Sequence, residues 1–66
     1  FSGEQICKLL EENGFISVRQ RGSHRIMQKA VQTGTITVPV PIHNDLKPVT
    51  LASIIRQSQL DRSLFQ

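Results

Sequence analysis

Apolar residues recur in the first thirteen positions at helical spacing. Ile6, Leu9, Leu10 and Asn13 fall on one face of a 3.6-residue period, so the pattern predicts a helix over 3–13. Ser2 followed three residues later by Gln5 has the form of a capping box, and Asn13-Gly14 supplies the stop. The period then changes. "FISVRQ" alternates and is rich in β-formers, which predicts a strand over 15–20. Arg21-Gly22 reads as a tight turn and "SHRIMQKA" as the returning strand, 23–30. After a turn at Thr33-Gly34, "TITVPV" is a third strand over 35–40, with Ile36, Val38 and Val40 on one parity and Thr35 and Thr37 on the other. Pro39 and Pro41 have no N–H to give a ladder, so the end of this strand belongs at a sheet edge or beyond it.

"PIHNDLKPV" is a loop of turn formers. Thr50 is the expected N-cap of a second helix whose inner face carries Leu51, Ile54, Ile55 and Ser58. Asp61 is placed to cap a last turn, "RSLF". The expected fold is therefore α+β: an αβββα chain with a three-stranded antiparallel sheet and two helices on one face, the other face left wet. Small double-stranded-RNA-binding modules have this arrangement, and they read RNA by shape and phosphate contacts.

Length narrows the reading further. A chain of 66 residues is expected to form one domain, 1–66, with one layer of helix on one layer of sheet. So short a chain has little room for a deep cavity, and a polymer lying on the surface suits it better than a small metabolite. No apolar run approaches membrane-spanning length and there is no secretory signal pattern. Cys7 is the single cysteine, so no internal disulfide forms, which suits a reducing cytoplasm; its helix position makes it a small core residue. The chain opens on Phe1 rather than Met, so a few residues are expected to precede it.

The net charge is +3, and its distribution is uneven. Residues 1–14 carry a balance of −2. Residues 15–48 hold Arg19, Arg21, Arg25, Lys29 and Lys47 against Asp45 alone, and 49–66 carry +1. A basic middle fits a face that binds a polyanion; it also fits a merely solvated sheet. Two histidines, one cysteine and scattered carboxylates give no cluster at metal-ligand spacing, and no glycine motif cradles a phosphate. Ser23 and His24 are neighbours on a strand and point to opposite faces, so Ser23 is better read as a turn hydroxyl than as a nucleophile.

His24 is the candidate for proton transfer. RNA carries its own nucleophile: deprotonating the 2′-OH and protonating the 5′ oxygen are enough for cleavage, and nearby cations stabilise the phosphate. Arg19, Arg21 and Arg25 are within reach of such a site if the hairpin forms as drawn, though Arg25 follows His24 directly and so leans to the other face. His24 shares parity with Ile26, so if Ile26 points to the helices the imidazole does too. A histidine at a core rim is also a common structural hydrogen bonder. His43 lies in a polar loop, where solvation is its simplest role.

Four stretches together, "SGEQICKLLEENGF", "VRQRGSHRI", "GTITVPVP" and "LKPVTLASIIRQSQL", resemble HicA-type toxins, the small mRNA interferases of bacterial toxin–antitoxin pairs. Arg-Gln-x-Gly-Ser-His is the most specific run, and the resemblance puts the family's catalytic histidine at His24. It implies a double-stranded-RNA-binding-like fold, cytoplasmic cleavage of mRNA with no cofactor or metal, and silencing by a HicB-type antitoxin. Arg19, Arg21, Arg25, Lys29 and Lys47 are the expected RNA-binding residues. The chain departs from the common pattern at Val49, where many members have glycine before the threonine, and at Ser58-Gln59, where many have a small residue and glycine. The other reading is a non-catalytic module of the same fold that binds RNA or a protein.

Overall fold

The computed structural model describes all 66 residues. In chain order the elements are α1 (Gly3–Glu12), β1 (Ile16–Arg21), β2 (His24–Val31), β3 (Gly34–Pro41), α2 (Pro48–Ser58) and a closing 3-10 turn (Arg62–Phe65). The three strands form one antiparallel sheet in the order β1-β2-β3, so the expected α+β, αβββα architecture is the one observed. No helix is long and apolar enough to cross a membrane.

The N-terminal capping box forms as expected. The Gln5 N–H donates to Ser2 Oγ at 3.1 Å and the Ser2 N–H donates to Gln5 Oε1 at 2.8 Å, so two otherwise orphaned amides are satisfied. α1 then buries Ile6, Cys7 and Leu10. On the sheet, Met27 faces the same side as its partner Val38, and both are fully buried. α2 contributes Ile54 to this core, with Leu51 and Ile55 packed against its edge, and Phe65 of the closing turn completes it. Burial pushes the Cys7 thiol up, an effect partly offset by the nearby Arg25 guanidinium.

Two details are tied to the loop between β3 and α2. The Gly3 N–H donates to the His43 carbonyl at 2.8 Å, and the Leu46 N–H donates to the Phe1 carbonyl at 2.9 Å. This lacing draws the start of α1 so close that a Cβ on Gly3 would run into the Pro41 carbonyl oxygen. β3 occupies a sheet edge, as Pro39 and Pro41 require.

One expectation is corrected, and one question left open by the sequence is answered. α2 starts at Pro48, with Lys47 at the N-cap and no side-chain cap, so Thr50 is inside the helix rather than its N-cap. Proline at the first helical position explains the earlier start, because its fixed φ suits the helix and its missing N–H is no loss there. The open question concerns Ile26. It is buried, yet it belongs to the sheet face opposite Met27, outside the main core. His24 shares that outer face and is exposed.

Candidate functional site

His24 is the first residue of β2, and the ladders place it at the middle of a cross-strand row. Arg21 of β1 stands opposite it on one side and Pro41 of β3 on the other. The next row on the same face is Arg19, Ile26 and Pro39. Residues directly opposite in such ladders have Cβ atoms roughly 5 Å apart, so Arg21 is an immediate neighbour of the imidazole.

A β-bulge produces this arrangement. Ser17 pairs with Met27, but the next pair is Arg19 with Ile26, so Val18 is an extra residue in β1. Continued from Ser17 without a bulge, the ladder would put Gln20 opposite His24, and Arg19 and Arg21 would face the helix side. The bulge turns both arginines onto the face of His24. The turn itself is Gly22-Ser23, with Gly22 at φ 59, a conformation glycine adopts without penalty. The Ile42 N–H donates to the Ser23 carbonyl at 2.7 Å and ties the hairpin tip to the end of β3.

Two open grooves meet at His24. One, of about 330 Å³, is lined by Arg21, His24, Ile26 and Pro39. The other, of about 380 Å³, lies between the outer side of β3 and α2 and is lined by His24, Pro39, Pro41, Val49, Thr50, Ser53, Ile54 and Gln57. No carboxylate lines either groove. Nor do any three His, Cys, Asp or Glu side chains gather into a metal-holding group. An exposed imidazole beside a guanidinium can move a proton and stabilise negative charge on the same bound group.

The five cations singled out from the sequence are divided by the sheet. Arg19 and Arg21 share the outer face with His24. Arg25 is on the helix side, where Nη1 donates to Glu4 Oε1 at 2.6 Å and Nη2 to Oε2 at 3.4 Å; this carboxylate raises the guanidinium pKa further. Lys29 is also on the helix side, its Nζ 5.8 Å from the centre of the Phe15 ring. Lys47 is exposed at the start of α2, and neither it nor His43 lines a groove.

Thr50, Ser53 and Gln57 were not singled out from the sequence as a site. Their spacing of three and then four puts them on one helical face, so a polar stripe was visible. What it faces depends on how α2 packs beside β3, which no local pattern encodes.

A family model described as the HicA toxin of bacterial toxin–antitoxin systems matches residues 3–60. A search of curated proteins gave no significant match. The matched span covers both helices, all three strands and the hairpin that carries His24. The chain belongs to the HicA toxin family of bacterial toxin–antitoxin systems.

Proposed function

We propose that the chain is an endoribonuclease that cleaves mRNA without a metal and so blocks translation in the bacterial cytoplasm, with His24 as its proton-transfer group. The observation that supports this reading most is the open position of His24 on the outer sheet face, directly across the ladder from Arg21. RNA lies along that face. Its phosphate is held beside Arg21 and Arg19, and the neighbouring 2′-OH attacks phosphorus as its proton leaves. The bond from phosphorus to the 5′ oxygen then breaks as that oxygen gains a proton. In-line displacement puts the entering and leaving oxygens on opposite sides of phosphorus. One ring therefore serves one of them, and solvent in the open groove serves the other. Arg21 stabilises the charge that grows on the non-bridging oxygens.

Lys47 extends the positive field toward α2, while Arg25 and Lys29 add to it from the helix side. A HicB-type antitoxin silences the enzyme by covering the face that carries His24, and complementary charge would speed its arrival.

The test is the chemistry of the product. Single-stranded mRNA incubated with the protein in EDTA is expected to yield fragments ending in a 2′,3′-cyclic phosphate or its hydrolysed form. RNA that is bound but left intact, or cut only when a divalent cation is restored, contradicts the reading.

A further inference from the structure

The two grooves differ in chemistry although they share His24 and Pro39. The smaller has a cation, Arg21, in its wall. The larger is lined by no lysine, arginine or carboxylate, with His24 at its rim: its α2 wall is Val49, Thr50, Ser53, Ile54 and Gln57, and β3 contributes the rings of Pro39 and Pro41. A phosphate gains most in the first groove, where positive charge opposes it. The second suits a neutral, flat group with a hydrogen-bonding edge, which is a description of a nucleobase.

We propose that the groove between β3 and α2 is a nucleobase subsite and that Gln57 determines its specificity; this rests on the ribonuclease reading above. Pro39 and Pro41 are two apart on one strand and so present their rings on the same face. They form an apolar ledge on which a base can lie flat. Gln57 is exposed on the opposite wall, and its Nε2 donates to Ser53 Oγ at 3.0 Å. That bond orients the carboxamide and uses one amide hydrogen. The second amide hydrogen and the carbonyl oxygen make no bond to the protein, so one donor and one acceptor remain for a ligand. A base edge with an acceptor beside a donor is the complement, and a glutamine carboxamide pairs in this bidentate way with adenine. A nucleotide bound with its phosphate at Arg21 and its base on the proline ledge straddles His24. The proton-transfer group is then at the sugar and phosphate between them.

The experiment compares wild type, Gln57→Leu and Gln57→Glu on a random-sequence RNA pool in EDTA, with the cut ends sequenced. Gln57 is exposed, so neither substitution disturbs the core. Wild type is expected to prefer one base at one position beside the cut. Gln57→Leu should flatten that preference by roughly tenfold or more, the discrimination a good bidentate contact supplies. Gln57→Glu offers only acceptors and should move the preference toward cytosine, whose N4 amine donates. A loss of structure would lower all cuts alike and leave the ratio unmoved. No preference in wild type, or one preference shared by all three proteins, overturns the proposal. Titration with short 2′-deoxy oligonucleotides, which cannot be cleaved, gives an independent reading. The Gln57 side-chain amide resonances should shift, and their standing still would also overturn the subsite. Should wild type leave the pool uncut, the ribonuclease reading fails while this titration still decides the subsite.

Discussion

Arg21 and His24 face each other across the β1–β2 ladder, on the side of the sheet turned away from α1. Arg25, one residue beyond His24, is held on the opposite side by Glu4. The two arginines therefore have different expected effects. Arg21→Ala should lower kcat/KM for RNA by about 10²–10³, as loss of a group stabilising the transition-state charge does. It should also reduce the slope of log binding against log salt by about one phosphate contact. Arg25→Ala should change kcat/KM several-fold at most. Equal losses in the two variants would contradict the geometry.

Gln59 ends α2 in the left-handed region, at φ 60 and ψ 17, and is the one non-glycine residue with positive φ. The resemblance leads to an expectation of glycine here, and the backbone gives a physical reason for it: an L side chain at this position opposes its own backbone. Gln59→Gly should raise stability by about 0.5–1 kcal/mol, the left-handed penalty being partly offset by glycine's greater freedom in the unfolded chain. Thermal unfolding checks this, and a lower midpoint would contradict it.

Gly3 gives the opposite result to the one helix propensity suggests. Alanine inside a helix is ordinarily better than glycine by about 0.5–1 kcal/mol. At Gly3 the added Cβ meets the Pro41 carbonyl oxygen and comes to 2.8 Å from the Ile42 Cα, and neither atom can rotate away. Overpacking of this kind costs about 1–3 kcal/mol, so the clash outweighs propensity. Gly3→Ala should lower the unfolding midpoint by about 4–8 °C for each kcal/mol lost. An unchanged or higher midpoint would show that the loop carrying Pro41 gives way freely.

The closing turn has a pH signature. Asp61 Oδ1 accepts from the Ser63 N–H at 2.9 Å, and this hydrogen bond holds the carboxyl below its ordinary pKa. A carboxylate lowered in the folded state stabilises it above the unfolded pKa, and that contribution fades as pH falls through the folded value. Asp61→Ala should therefore melt below wild type at pH 7, and the gap should narrow as pH falls below the ordinary aspartate value of about 3.9 and close once the lowered folded-state value has been passed. A gap independent of pH would mean that the cap acts through shape alone.

The αβββα order, the capping box, the edge placement of β3 and the inward parity of Ile36, Val38 and Val40 were legible in the sequence because each depends on near neighbours. The side faced by His24 was not. Ile26 is apolar and shares parity with His24, which left open an imidazole beneath the helices. Met27 occupies the helix side instead, and Ile26, buried on the outer face, lines a groove with Arg21, His24 and Pro39. The bulge at Val18 was equally hidden, since one extra residue changes the facing of Arg19 and Arg21 without changing composition or strand length. Pro48 did carry a readable signal for the start of α2, and Thr50 drew attention from it.

The central claim is that the exposed imidazole of His24 moves the proton on which RNA cleavage depends. Single-turnover rates for wild type and His24→Ala on one RNA, in EDTA and with matched circular dichroism and melting, test it most directly. The rate is expected to fall by about 10²–10⁴ while the fold is unchanged. A folded His24→Ala that cuts within a few-fold of wild type would contradict the account.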